Sequence, residues 1–406
     1  MRPSKFRLLS ALTLFGLVFS TSIFAAGFQL YEVSSPEMGF AGAGQAAFAE
    51  NAAISYFNPA GMTQLKHSQM LLGTQMMIVN AQFQQNSKTT ISGDDGGNAG
   101  NLFPGFAAYY VYSYSNNLKF GLSVNTPYVG GLNYSNGWVG RYSVQSVSLV
   151  TINVNPSVAY RVNQWFSVGG GVSVEYTDYR EDIAASIPAD GDGQINVKMN
   201  AFTPGFNFGL LFTPQPGTRI GLAYRSEMSR NLRGSTTFYR LSGTPPVSTE
   251  LKTPQTLILS AYQNLTKKVA VLADLGWADW SVFNNTIINV SGVTATIPRH
   301  WKDTWRIGLG FKYDVTSKLA LQLGASYDSS VTKANDRLPD LPMDRQYRFG
   351  TGVIYKITKS ATLNLAYEYM DFGKAAINNT TSNGTLAGNY PVNNINAFTL
   401  NINVLI

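Results

Sequence analysis

Trp305-Arg306-Ile307-Gly308-Leu309-Gly310-Phe311-Lys312-Tyr313 decides how this chain is read. Every second residue is aromatic or branched apolar, and the residues between are glycine or basic, a period of two that fits a strand with one greasy and one polar face. The same alternation continues downstream. Leu319, Leu321, Leu323 and Tyr327 oppose Gln322, Gly324 and Ser326; Leu363, Leu365, Tyr367 and Tyr369 oppose Thr362, Asn364 and Glu368. Phe398, Leu400, Ile402, Val404 and Ile406 close the chain against Thr399, Asn401 and Asn403. Upstream, Phe166, Val168, Val172, Val174 and Tyr176 alternate with Ser167, Gly169, Gly171, Ser173 and Glu175.

Extending the count gives fourteen segments, over 69–85, 102–114, 117–129, 147–162, 165–180, 196–213, 217–238, 249–264, 267–283, 299–315, 318–331, 345–357, 360–373 and 393–406. Short and long connections alternate between them. Tight turns are expected at Ser115-Asn116, Asn163-Gln164, 213–216, Leu265-Thr266, Thr316-Ser317 and Thr358-Lys359. The other links are longer and rich in Gly, Asn, Asp and Pro. An even number of strands with short turns at one end and long loops at the other is the pattern of an outer-membrane barrel. The reading is therefore all-β, a 14-stranded antiparallel transmembrane β-barrel. A soluble sandwich or propeller would also alternate, but the aromatic segment ends and the scarcity of charge on the apolar parity favour lipid contact.

Composition agrees with one body. Of 406 residues only 13% are charged while 13% are aromatic, and no linker or charge block divides the chain. Arg2, Lys5 and Arg7 precede an uncharged run to Phe24, and Ile23-Phe24-Ala25 suits cleavage, so residues 1–25 are expected to be a signal peptide. Loss of those three basic residues takes the net charge from +7 to +4, too mild and scattered to indicate nucleic acid. There is no cysteine, so stability must come from backbone pairing rather than disulfides.

One stretch does not alternate. Ala26 to Met62 is dense in Ala and Gly, with a possible short helix near Gln45 to Asn51. A fourteen-stranded barrel encloses more room than wall side chains can fill. Residues 26–64 are therefore expected to be an N-terminal hatch in a barrel formed by 65–406.

These residues resemble a known family. Ala26-Gly27-Phe28-Gln29-Leu30, the Gly39 to Gly44 run and Asn58-Pro59-Ala60 resemble the hatch of the long-chain fatty acid transporter (FadL/TodX) family. Trp301-Lys302-Asp303-Thr304-Trp305-Arg306, Tyr327-Asp328, the Asn335 to Arg345 loop and Ala159-Tyr160-Arg161 are similar to it as well. The resemblance implies passive uptake of hydrophobic molecules across the outer membrane and sideways release where the third strand is kinked. Asn125-Thr126-Pro127 interrupts that strand here, since proline gives no N–H to a ladder; the plainer alternative is that Pro127 only ends the strand.

Candidate ligand contacts follow from the same resemblance. Lys302 and Arg306 are expected near a carboxylate head group, or else paired with inward acids such as Glu175 or Glu368. Tyr128, Leu132 and Trp138 give an aromatic loop for first capture, or alternatively an interfacial belt, and Phe28 is a ligand or wall contact. Asn58 and Pro59, with Ala60, are read as fixing the hatch turn. Expected partners are a long-chain fatty acid or other hydrophobic small molecule, outer-membrane lipid and lipopolysaccharide, with the barrel a monomer. No cofactor, metal or nucleic acid is called for, and the protein is expected not to be an enzyme. The alternatives weighed are an outer-membrane hydrolase, for which His300 with Asp303 is the conceivable start while His67 is remote, and a polar-solute porin.

Overall fold

The computed structural model describes Tyr31 and residues 33–187, 191–238 and 244–406. The expected signal peptide, its cleavage point and Phe28 lie outside these residues. Among the described residues, twenty strand pieces build the wall and its loops. They are β1 (Gln69–Gln85), β2 (Leu102–Ser113), β3 (Leu118–Asn125), β4 (Val129–Asn133), β5 (Ser146–Arg161), β6 (Phe166–Ile187), β7 (Gly191–Gln215), β8 (Thr218–Arg225), β9 (Met228–Phe238) and β10 (Pro246–Thr253). The second half supplies β11 (Thr256–Asn264), β12 (Val269–Ala278), β13 (Asn285–Val290), β14 (Val293–Pro298), β15 (Thr304–Asp314), β16 (Leu319–Asp328), β17 (Gln346–Lys356), β18 (Ala361–Asp371), β19 (Ile377–Thr381) and β20 (Gly384–Leu405).

These pieces form a closed, 14-stranded antiparallel barrel. β1 seals against β20 from Gln69↔Leu405 to Gln85↔Gly388. Three staves are broken into collinear pairs: β3 with β4, β8 with β9, and β10 with β11. Pro127 and Pro254, neither of which can donate to a ladder, stand at two of the breaks. β6 and β7 run well past the segments expected for them, pairing as far as Ile187↔Gly191. The link between β12 and β15 folds into the hairpin β13–β14, whose Ile288 to Val290 extend the sheet onto β10.

The short turns are local chemistry. Ser115 Oγ accepts the Leu118 N–H at 3.0 Å, and Asn163 Oδ1 that of Phe166 at 2.9 Å. Thr266, Thr316 and Thr358 do the same for Val269, Leu319 and Ala361. A hydroxyl or amide that satisfies the backbone three residues on is what makes such turns tight.

Outward residues are apolar and exposed with period two: Leu309 is 62% exposed and Val172 62%, far beyond what a soluble surface tolerates in continuous array. Aromatic rings bound this band. Trp165, Phe166 and Phe212 stack at the short-turn end of β6 and β7, and Tyr176 packs on Phe202 further along. Beyond Tyr176 the outer face turns charged, with Arg180 bonded to Asp178 at 2.9 Å, so β6 leaves the apolar band there and continues outside the membrane.

Residues 33–65 lie inside. The chain makes 3-10 turns over Pro36–Phe40 and Pro59–Gln64 and one α-turn over Ile54–Phe57. The short helix expected over 45–51 does not form: one helical bond, Phe48 N–H to Gly44 O at 2.7 Å, is followed by tight turns in which Ala49 and Glu50 N–H reach back only to Ala47 O and Phe48 O, while Asp274 and Ser260 of the wall accept from Gly44 and Ala46 N–H. Inner-wall glycines let the segment lie flat against the strands. A Cβ on Gly221 would fall 1.9 Å from the Ala46 carbonyl, and one on Gly324 2.0 Å from that of Phe40. With Gly73, Gly121, Gly169, Gly209 and Gly350 making similar approaches, the contact runs around nearly the whole circumference.

Candidate functional site

The glycine-lined half of the bore is filled by the N-terminal segment, whereas the half toward the long loops carries large apolar side chains and stays open. Its cavity measures about 520 Å³, within the ~300–1,000 Å³ of small-molecule sites. Met77, Leu149, Ile195, Leu232, Leu251 and Met370 typify its walls. Beneath it, Met38 of the N-terminal segment joins the apolar cluster of Met77, Tyr128, Trp280 and Met343.

The wall beside this cavity is incomplete. β2 pairs with β3 from Ser113↔Lys119 only as far as Ala108↔Val124. Beyond the break the chain resumes as β4, which pairs with β5 from Val129↔Val150 to Asn133↔Ser146 and makes no ladder with β2. Thr151 holds the break to β5, its hydroxyl accepting from the Tyr128 N–H at 3.0 Å and its N–H donating to the Tyr128 carbonyl at 2.9 Å. The chain ahead of β2 meets the end of β4 where Asn133 N–H donates to Ala99 O at 2.8 Å. Val129, Gly130, Gly131 and Leu132, along the one-sided stretch, also line the cavity.

Of the residues singled out from sequence, Leu132 lines the cavity, and Tyr128 sits in its apolar floor cluster. Trp138 is fully buried elsewhere, stacked on Tyr134 at 3.8 Å with its Nε1 donating to the Val144 carbonyl, so it locks a loop. Lys302 is exposed, with its backbone N–H on the Val331 carbonyl. Arg306 is buried on the segment side of the bore: its guanidinium donates to Ala41 O at 2.6 Å and lies 3.2 Å from Asp274. The inward acids find other partners, Glu175 with Arg230 and Glu368 with Arg348. Asn58 Oδ1 accepts from the Ala60 N–H at 3.1 Å, while its Nδ2 donates to Ala46 O at 2.7 Å and Leu210 O at 2.9 Å.

Sequence reading missed the cavity's polar corner. Arg299 grips Asp340 through both guanidinium ends at 2.6 and 2.8 Å, and its Nε donates to Thr286 at 3.1 Å. Glu181 lies within the same electrostatic cluster. Its inward parity is a signal in the sequence, but the alternating segment over 165–180 stops one residue short of it. His300 bonds Asp336, not Asp303, whose carboxylate is held by Trp277 and Ser281.

Residues 16–404 match the family model for outer membrane protein transport proteins (OMPP1/FadL/TodX). The chain belongs to this family. Among curated FadL/TodX relatives, it is 26% identical to outer membrane protein P1 of Haemophilus influenzae, over 85% of this chain and 86% of that one. It is 25% identical to the long-chain fatty acid transport protein of Escherichia coli K12, over 91% and 93%. The fold is that of a Pseudomonas aeruginosa FadL homologue, with a TM-score of 0.87 at 20% identity over 93% of this chain and 99% of the other. The Pseudomonas putida toluene transporter TodX superposes with a TM-score of 0.70 at 16% identity, over 95% and 100%. This FadL/TodX barrel is accordingly an outer-membrane transport protein.

Proposed function

We propose that the barrel takes up hydrophobic molecules passively, with residues 33–65 acting as the hatch, the apolar cavity above them as the binding site, and the β2–β4 break as the sideways exit. Relatives are named for long-chain fatty acids and for toluene, and the same broad class of cargo is proposed here. The observation that supports the reading is that Val129 to Leu132 belong at once to the cavity lining and to the stretch of β4 that pairs with β5 but forms no ladder with β2.

Energetics favour that route. Each buried methylene is worth about 0.8 kcal/mol, so a sixteen-carbon chain leaving the cavity for water would lose on the order of ten kcal/mol. Leaving into lipid loses little of it. A bore filled by the N-terminal segment also gives polar solutes no straight path, which argues against a porin. Neither His67 nor His300 is among the residues lining the cavity, so neither supports a hydrolase reading of it. A monomer in contact with outer-membrane lipid and lipopolysaccharide remains part of the proposal.

The test is hydrophobic-solute uptake by cells expressing the protein against cells lacking it, alongside mass spectrometry of solvent extracts of the purified barrel. Uptake and bound apolar molecules are expected; equal uptake by the two strains would reject the reading.

A further inference from the structure

We infer that Glu181 sets ligand preference: the cavity takes hydrophobic molecules ending in a neutral hydrogen-bond donor, such as a hydroxyl, over those ending in a free carboxylate. This rests on the cavity being the uptake site.

The charges facing the cavity carry the argument. Among the described residues no lysine lines it, and the charged residues that do are Glu181, Arg299, Asp340 and Arg348. Both arginines are already engaged. The guanidinium fork of Arg299 is taken up by Asp340, with each partner less than a tenth exposed, so a ligand carboxylate has to displace a carboxylate already in place. Arg348 faces Asp328 at 3.6 Å, Glu368 at 3.8 Å and Gln346 at 2.8 Å. With Arg306 and Asp274 beside it, that lower cluster holds two cations against three acids. An arriving carboxylate therefore meets a surplus of acid at both polar points.

Glu181 stands differently. Its backbone neighbours across β5 and β7 are Val147 and Val197, both cavity residues, and Tyr179, two residues back on the same face of β6, lines the cavity too. Asp340 and Asp182 add negative charge nearby and Arg299 opposes them. Burial first, then Asp340, lifts the carboxyl to about 7 against Tyr179 and Arg299. A hydroxyl donating to Glu181 finds a carboxylate acceptor on the cavity wall. A second anion there is repelled, and rejection of a wrong ligand by an unmatched buried charge is an effective source of selectivity.

The test is equilibrium binding of dodecane, dodecan-1-ol and dodecanoate to the purified barrel at pH 8, for the wild type and Glu181→Gln, with heat stability of both measured. The wild type is expected to bind the alcohol about tenfold or more tightly over dodecanoate, the scale of one pKa unit of charge interaction. Glu181→Gln is expected to bring the ratio within about threefold, chiefly through tighter dodecanoate. Lowering the wild type to pH 6 is expected to narrow the ratio likewise, by protonating Glu181, and needs no substitution. A wild-type ratio near one, or a ratio unmoved by both Glu181→Gln and pH, overturns the inference while dodecane binding leaves the uptake reading standing. Failure of dodecane to bind overturns both.

Discussion

Glu50 of the inner segment accepts a hydrogen bond from Lys312 Nζ of β15 at 2.8 Å, and its other oxygen lies 3.2 Å from Arg219 of β8. One carboxylate thus ties the segment to two staves at the short-turn mouth. Burial opposes its ionisation, yet Lys312 and Arg219 outweigh burial and hold it at about 2 rather than the ordinary 4.5. A depressed acid contributes stability above its free value and loses it as pH falls toward the folded one. The latch should therefore persist at pH 5 and fail between about pH 4 and 2. Glu50→Gln is expected to cost about 1 kcal/mol, typical of a partly exposed pair, and to raise ion leak in planar bilayers at pH 7. Wild-type leak should rise only on acidification through that window; a flat profile would remove the latch role.

Gly324→Ala tests how closely the segment is seated. Its Cβ would meet the Phe40 carbonyl oxygen at 2.0 Å, backbone that cannot swing aside. Overpacking of this kind costs about 1–3 kcal/mol. Gly130→Ala, where nothing lies within 4 Å, is the control. Thermal unfolding should separate the two variants by several degrees.

Asn58→Ala removes one acceptor and two donated bonds that join the turn at Pro59 to Ala46 and to Leu210 of the wall. Each buried partner left unsatisfied costs about 1–3 kcal/mol. Proteolysis within residues 33–65 should speed up while the barrel strands stay protected; unchanged proteolysis would argue that the turn is held by packing alone.

Gly130→Phe addresses the exit. The glycine lines the cavity on the one-sided stretch and has open space where a side chain would begin, so a larger residue can start there without a backbone clash. Uptake of a hydrophobic solute is expected to fall several-fold with binding retained. Uptake at the wild-type rate would place the exit elsewhere.

Much of this architecture was written in local patterns. Period-two alternation and Ser, Asn or Thr at the tight turns act over a few residues, so the strand number and the direction of each face could be read directly. The Ala- and Gly-rich opening likewise announced a segment without strand character, because small residues permit the close backbone approach later seen at Gly221 and Gly324. Pro127 marked the break for an equally local reason, its missing N–H.

What alternation cannot tell is which inward side chains meet. Arg306 faces inward by its parity, but whether it reaches a ligand or Ala41 depends on where a segment more than 260 residues earlier comes to rest. Glu181, Arg299 and Asp340 come from three separate stretches brought together only by barrel closure and loop packing. Face is a property of one strand; a binding site is a property of the closed sheet, and here only the tertiary structure decided it.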